Sequence, residues 1–224
     1  STGAFVNFAV DGIDETLQIY TTRPDTLFGV TFMVIAPEHP LIDKYADRIS
    51  NMDAIKAYRT ECAKKTEFER TQLVKDKTGV KIEGLEAVNP VNGKKIPIFI
   101  ADYVMMGYGT GAIMAVPAHD QRDYDFAKAF NIDIIEVIKG GDISKEAYTG
   151  DGEMVNSEFL NGYTNKKDSI QKMLEELTRQ GIGRAGVQFK MKDWAFNRQR
   201  YWGEPIPLIH CPNCGVVAVP ENEL

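Results

Sequence analysis

Gly107 to Ala127, GYGTGAIMAVPAHDQRDYDFA, changes character twice within one short stretch. Gly107, Gly109 and Gly111 let the chain turn tightly and let a ligand approach backbone amides, although their spacing is neither a P-loop nor GxGxxG. A plain loop between strands fits them as well. Ala112 to Val116 is an unbroken apolar run that reads as a buried strand, with Met114 and Val116 on the same side by its period of two. A helix over about Gln121 to Phe130 follows. His119, Asp120, Arg122 and Asp123 therefore stand where a strand passes into a helix, at a sheet's end beside a helix N-terminus. Acidic residues there are equally ordinary helix-start residues. A substrate carrying a free ammonium group needs a fixed carboxylate partner, and Asp123 or Asp120 can provide it.

Working outward from this stretch, the sequence predicts many short strands. Ala4 to Val10 and Leu17 to Thr22 alternate in polarity across Asp11-Gly12, which reads as a hairpin. The second strand runs into Thr21 to Thr26, TTRPDT, where Pro24 holds the preceding residues extended and forces a turn. This places three hydroxyls, a guanidinium and a carboxylate at a strand end. The segment also fits a polar turn in which Thr26 or Asp25 caps a short helix. Val30 to Ala36 reads as a buried strand, followed by helices over about Pro40 to Ile49 and, capped by Asp53, to Glu69. Further strands are expected at Val80 to Ile82, Leu85 to Val88, Lys95 to Ala101 and Ile132 to Ile138, with Leu85 to Val88 and Lys95 to Ala101 joined across Asn92-Gly93. A last helix, about Lys166 to Arg179, stops before Gly181. The predicted class is mixed α/β (α+β): a barrel-like core of short strands, closed or nearly so, decorated by helices.

The 224 residues, 43% of them hydrophobic, suffice for one large domain or one domain with an appended piece. Composition shifts after about Gly183, and from Trp194 aromatic and arginine residues, prolines and a CxxC suggest a different neighbourhood. The division expected is 1–193 for the domain and 194–224 for a linker. Three cysteines are too few for a disulfide framework. With no signal pattern and no membrane-length apolar run, a cytoplasmic protein without membrane contact is expected. The formal charge of -6 argues against a free-standing nucleic-acid binder, which gains affinity from excess Lys and Arg. Any RNA it meets is expected to be a short end.

His39, between prolines at a helix entry, reads as structural, and Cys62, on a helical face with Ile55 and Tyr58, as core. His210, Cys211 and Cys214 have the spacing of half a zinc knuckle, but no second CxxC or histidine pair accompanies them. That leaves zinc open.

Taken jointly, TTRPDT and GTGAIMAVPAHDQRDYDFA resemble the editing insertion of bacterial leucyl-tRNA synthetases, class I enzymes. Isoleucyl and valyl synthetases carry related TTRP and GTG segments with different continuations. NRQRYWGEPIP, Asn197 to Pro207, is similar to the point where that insertion rejoins the nucleotide-binding catalytic fold. No HxGH-type motif and no KMSKS occurs, so the resemblance implies an excised domain that does not charge tRNA. ATP and magnesium would serve only the full-length enzyme, and editing would need no cofactor.

The resemblance further implies the editing-domain fold shared by the valyl, isoleucyl and leucyl enzymes. It implies hydrolysis of tRNA(Leu) esters of norvaline, isoleucine and methionine, with leucyl-tRNA excluded. The partners would be the charged 3′ CCA end and the remainder of the synthetase. Residue by residue, it assigns Asp123 to the substrate's α-ammonium and Thr26 to blocking the γ-branched leucine. Thr21 and Thr22 would border the ester and terminal adenosine, Tyr108, Met114 and Val116 would form pocket walls, and Asp120 would contact substrate. Arg23, Asp25, His119 and Arg122 would be supports or RNA contacts. Two alternatives accompany this reading: an RNA 3′-end binding module without catalysis, and a metal-dependent hydrolase using His119, Asp120 and Asp123.

Overall fold

The computed structural model describes residues 1–66, 69–70, 78–107, 109–188 and 208–220. The chain forms two compact units, Ser1–Gln188 and Phe189–Leu224.

The first unit is organised by β1 (Thr2–Val10), which pairs along one edge with β2 (Thr16–Thr21) as the expected hairpin. Gly12, at φ +73, makes the turn, a conformation that other residues resist. The other edge of β1 is shared. Thr2 to Val6 take β9 (Gly183–Val187), while Ala9 and Val10 take β4 (Val80–Val88). Beyond β4 lie β5 (Lys95–Ile100), β3 (Phe32–Ile35) and β6 (Ala112–Ala115). Among the described residues, only the β3–β5 pairing is parallel.

Both faces of the central strands are covered, as the continuous apolar runs of β3 and β5 require. Phe32, Val34, Phe99 and Ala115 meet α3 (Gln121–Phe130), whose Phe126 ring stacks on Phe32 at 5.1 Å and meets Phe99 edge-on at 5.2 Å. Met33, Ile35, Ile98 and Val116 belong to the opposite core, shared with Ile55 of α2 (Met52–Ala63) and with Met173 and Leu177 of α4 (Lys166–Gln180). Met114 packs with that core and Ile113 with the other, so the expected alternation of β6 holds.

Several expectations are corrected. The sheet is not a closed barrel: β2 and β6, the ends of the strand order, lie beside each other without pairing among the described residues. Each is followed closely by a proline, Pro24 or Pro117, which has no N–H to extend a ladder. The two strands expected at Val80 to Ile82 and Leu85 to Val88 are the single β4, bulged between Lys81 and Glu86. Gly84 permits this with φ +106, and a Cβ there would lie 2.1 Å from the Arg48 carbonyl oxygen. Ile132 to Ile138 is not a ladder strand. Only Ile138 and Lys139 pair, with Met154 and Glu153, because the Val137 and Ile138 N–H groups are turned to the His119 ring. β9 was not anticipated.

Helix limits differ too. The first, α1 (Pro40–Lys44), gives way to a 3-10 turn over Ala46–Arg48. Helix α2 begins at Met52, not at a capping Asp53, and stops at Ala63. Asn51 occupies the N-cap position but spends its side chain on β4, donating to the Lys81 carbonyl and accepting from the Glu83 N–H. Beyond α2, the Thr66 hydroxyl accepts from the Glu69 N–H while the Glu69 carboxylate accepts from the Thr66 N–H. That reciprocal capping ends continuity with α2.

In the second unit, β10 (Leu208–Cys211) and β11 (Gly215–Ala218) form a hairpin. Among the described residues no helix is long and apolar enough to cross a membrane.

Candidate active site

Where β2 ends, TTRPDT folds back on itself. The Thr21 hydroxyl accepts from the Arg23 N–H at 3.0 Å, and a 3-10 turn over Pro24–Gly29 begins with proline in its first turn. Neither Thr26 nor Asp25 caps it. Instead, the Thr26 hydroxyl donates to the Arg23 carbonyl at 2.9 Å, and Asp25, fully buried, takes a two-pronged ion pair from Arg23 at 3.0 and 2.8 Å. Burying that carboxylate is tolerable because both its oxygens are matched by the planar guanidinium. Thr26 is buried with its hydroxyl engaged, Thr21 is half-buried and Thr22 is exposed. Asn89, missed in the sequence, is fully buried and donates to the Leu27 carbonyl at 2.9 Å, pinning the turn from β4's end.

The second segment meets the first here. Gly29 lies so close that a Cβ on it would sit 3.0 Å from Val137 and 3.2 Å from Val116. Asp120 caps α3, accepting from the N–H groups of Arg122 and Asp123 at 2.8 and 3.2 Å; of its two sequence readings, capping is the observed one. Asp123 occupies the first turn of α3, and its carboxylate accepts from the Val116 N–H at 2.8 Å. It thereby bridges the helix start and the end of β6, with its charge favoured by the helix N-terminus. Arg122 is exposed.

His119 ties three segments together. Nδ1 lies 2.8 Å from the Tyr148 carbonyl, and Nε2 accepts from the Val137 and Ile138 N–H groups at 3.0 Å each. These partners require the neutral ring with its proton on Nδ1. Burial holds its pKa below the ordinary imidazole value; the Tyr148 hydrogen bond opposes this, and the nearby charges of Arg23 and Asp25 push in opposite directions. Both ring nitrogens of His119 are thus engaged inside the protein. Among the described residues no group of three or more His, Cys, Asp and Glu side chains is placed to hold a metal ion.

Tyr103 was not singled out by the sequence. Burial, and then the charges of Asp123 and Asp120, hold its phenol above the usual range, and its ring packs edge-on against Phe126. Gly109 and Gly111 adopt φ +72 and +71, and the Ala36 N–H holds the Gly111 carbonyl at 2.9 Å. Tyr108 lies outside the described residues. His39 caps α1 through Nδ1, and Cys62 is core, as expected. In the second unit, N–H groups of Asn213 and Cys214 hold the Cys211 thiol below its ordinary value. A separate open cleft of about 580 Å³, lined by Phe28, Lys94, Ile135, Glu136 and Asn156 among others, holds none of the expected site residues.

A solved leucyl-tRNA synthetase from Agrobacterium radiobacter K84 has a similar fold over this chain. That structure is described as a ternary LeuRS–tRNA–LeuAMS complex; it aligns with all of this chain and 25% of its own at a TM-score of 0.67 and 33% identity. Residues 1–178 match the family model described as leucyl-tRNA synthetase, editing domain, and the chain belongs to that family. Leucine–tRNA ligases of Alkaliphilus oremlandii and Elusimicrobium minutum are 59% and 57% identical over the whole chain. The chain spans 28% and 26% of those relatives.

Proposed function

We propose that this chain performs post-transfer editing, hydrolysing the ester of tRNA(Leu) mischarged with norvaline, isoleucine or methionine and sparing leucyl-tRNA. The observation that carries the proposal is the meeting of TTRPDT with the β6–α3 junction, through Gly29 against Val116 and the Arg23–Asp25 pair beside His119, in a member of this family. A second sieve is needed because one methylene in an apolar pocket is worth only about 1–3 kcal/mol.

In this reading Asp123 anchors the substrate's ammonium group. Its carboxylate accepts from the Val116 N–H, which fixes its orientation at the start of α3. Thr26 supplies a steric wall: with its hydroxyl committed to Arg23, the group left to meet a side chain is its methyl. Met114 and Val116 line the pocket. A positioned water attacks the ester carbonyl, and the Thr21 and Thr22 hydroxyls with glycine-loop amides stabilise the oxyanion. No covalent enzyme intermediate and no cofactor enters the scheme. Residues 1–193 form the editing domain and 194–224 the return to the catalytic body.

The test is incubation of the chain at high concentration with isoleucyl-tRNA(Leu) and leucyl-tRNA(Leu), counting released amino acid. Release of isoleucine with leucine retained, unaffected by chelator, is the expected outcome. Binding of the charged end without release would replace the hydrolase with the RNA-end binding module.

A further inference from the structure

We infer that Arg70 is a positioning residue for the glycine loop. It lies far from the seam in sequence and outside every motif that marks the site. Its side chain is 8% exposed and makes four bonds. Nε donates to the Asp102 carbonyl at 2.6 Å, one terminal nitrogen to the Val104 carbonyl at 3.0 Å, and both terminal nitrogens reach the Glu38 carboxylate at 2.6 and 3.4 Å.

These partners are the two footings of the loop. Asp102 and Val104 lead into Gly107. On the far side, the Gly111 carbonyl is held by the N–H of Ala36, two residues before Glu38. Arg70 therefore ties the loop's entry to the segment that fastens its exit. The same footing is reinforced by Lys65, which donates to the fully buried Asp102 carboxylate at 2.6 Å, and by Tyr58, whose hydroxyl accepts from the Asp102 N–H at 3.0 Å. The planar guanidinium spreads its donors over three nitrogens to serve two carbonyls and a carboxylate, whereas an ammonium group offers three donors from one compact centre. Met106 is packed where a Cβ on Gly111 would fall, 2.4 Å from its sulfur, so displacement of the footing at Val104 is passed to the loop's tight turn.

This inference rests on the editing reading for its consequence, the placing of loop amides against the reacting ester, but not for the clamp itself. The experiment has two arms on the 224-residue chain, comparing wild type with Arg70→Met and Arg70→Lys. Amide hydrogen exchange reads the clamp: residues 105–111 should exchange on the order of tenfold faster in Arg70→Met, with 96–100 unchanged and Arg70→Lys in between. Isoleucyl-tRNA(Leu) hydrolysis reads the consequence: kcat should fall by roughly 10- to 100-fold with KM held within about twofold, and Arg70→Lys should recover part of it.

Unchanged exchange at 105–111, or a loss shared equally by KM and kcat, overturns the inference. If Arg70→Met unfolds the chain, Arg70→Lys is judged by the same two readings. If the wild type releases no amino acid, the editing reading fails, and the exchange arm still decides the clamp.

Discussion

Replacing Asp123 by Asn separates two jobs that Ala would remove together. Its carboxylate accepts the Val116 N–H at 2.8 Å, a structural bond, and in the editing reading it also meets the substrate's ammonium. Asn keeps an oxygen for the N–H and loses the charge. Making its bond to the Val116 N–H neutral costs about 1 kcal/mol, or about 2–4 °C in melting temperature for a domain of this size. The functional change is larger: a carboxylate–ammonium bond contributes about 1.5–3 kcal/mol, so kcat/KM should fall roughly 10- to 100-fold. Ala should match that loss and in addition leave the Val116 N–H unpaired beside a buried residue, costing about 1–3 kcal/mol of stability. Single-turnover release from isoleucyl-tRNA(Leu), beside a melting curve for each variant, measures both. Turnover within about twofold of wild type in a folded Asp123→Asn variant would refute the ammonium role.

Thr26→Ala should admit the γ-branched side chain and shorten the lifetime of leucyl-tRNA(Leu), whereas Thr26→Val, which keeps the methyl, should still spare it; an unchanged leucyl-tRNA lifetime in the Ala variant argues against a steric wall. Stability should depend on pH through His119. Its folded pKa is lowered, so the unfolded chain binds a proton near pH 6.5 while the folded ring stays neutral; the contribution is complete above about pH 6.5 and is lost as pH falls towards the folded pKa. Urea titrations of wild type and His119→Asn across that range should show a steeper acid loss in wild type. His39 shares this direction, because burial lowers its pKa too, so Asn at both positions should flatten the slope further.

The strands and helices nearest the site were legible because their signals are local. Alternation marked the β1–β2 hairpin, an apolar run marked β6, and the acidic residues after it fitted the start of α3, which ends at a left-handed Asn131. Ile132 to Ile138 misled for the same reason: apolar composition cannot tell whether a chain's N–H groups will find a neighbouring strand or a histidine ring. The end of α2 before Thr66 was not read from the sequence, although Thr66 and Glu69 have capping-box spacing.

By itself, the sequence determined the family through two separated segments, TTRPDT and GTGAIMAVPAHDQRD, together with the alternation that puts Met114 and Val116 on one side. Only the tertiary structure decided which partners the polar groups meet. Three backbone groups converge on His119, Asp120 caps α3 because the helix starts there, and Asp102, Val104 and Glu38 converge on Arg70. The physical reason is that hydrogen-bond satisfaction in a buried environment is a property of neighbours in space. Periodicity along the chain records which face a residue takes, but not which donor or acceptor from a distant segment will meet it there.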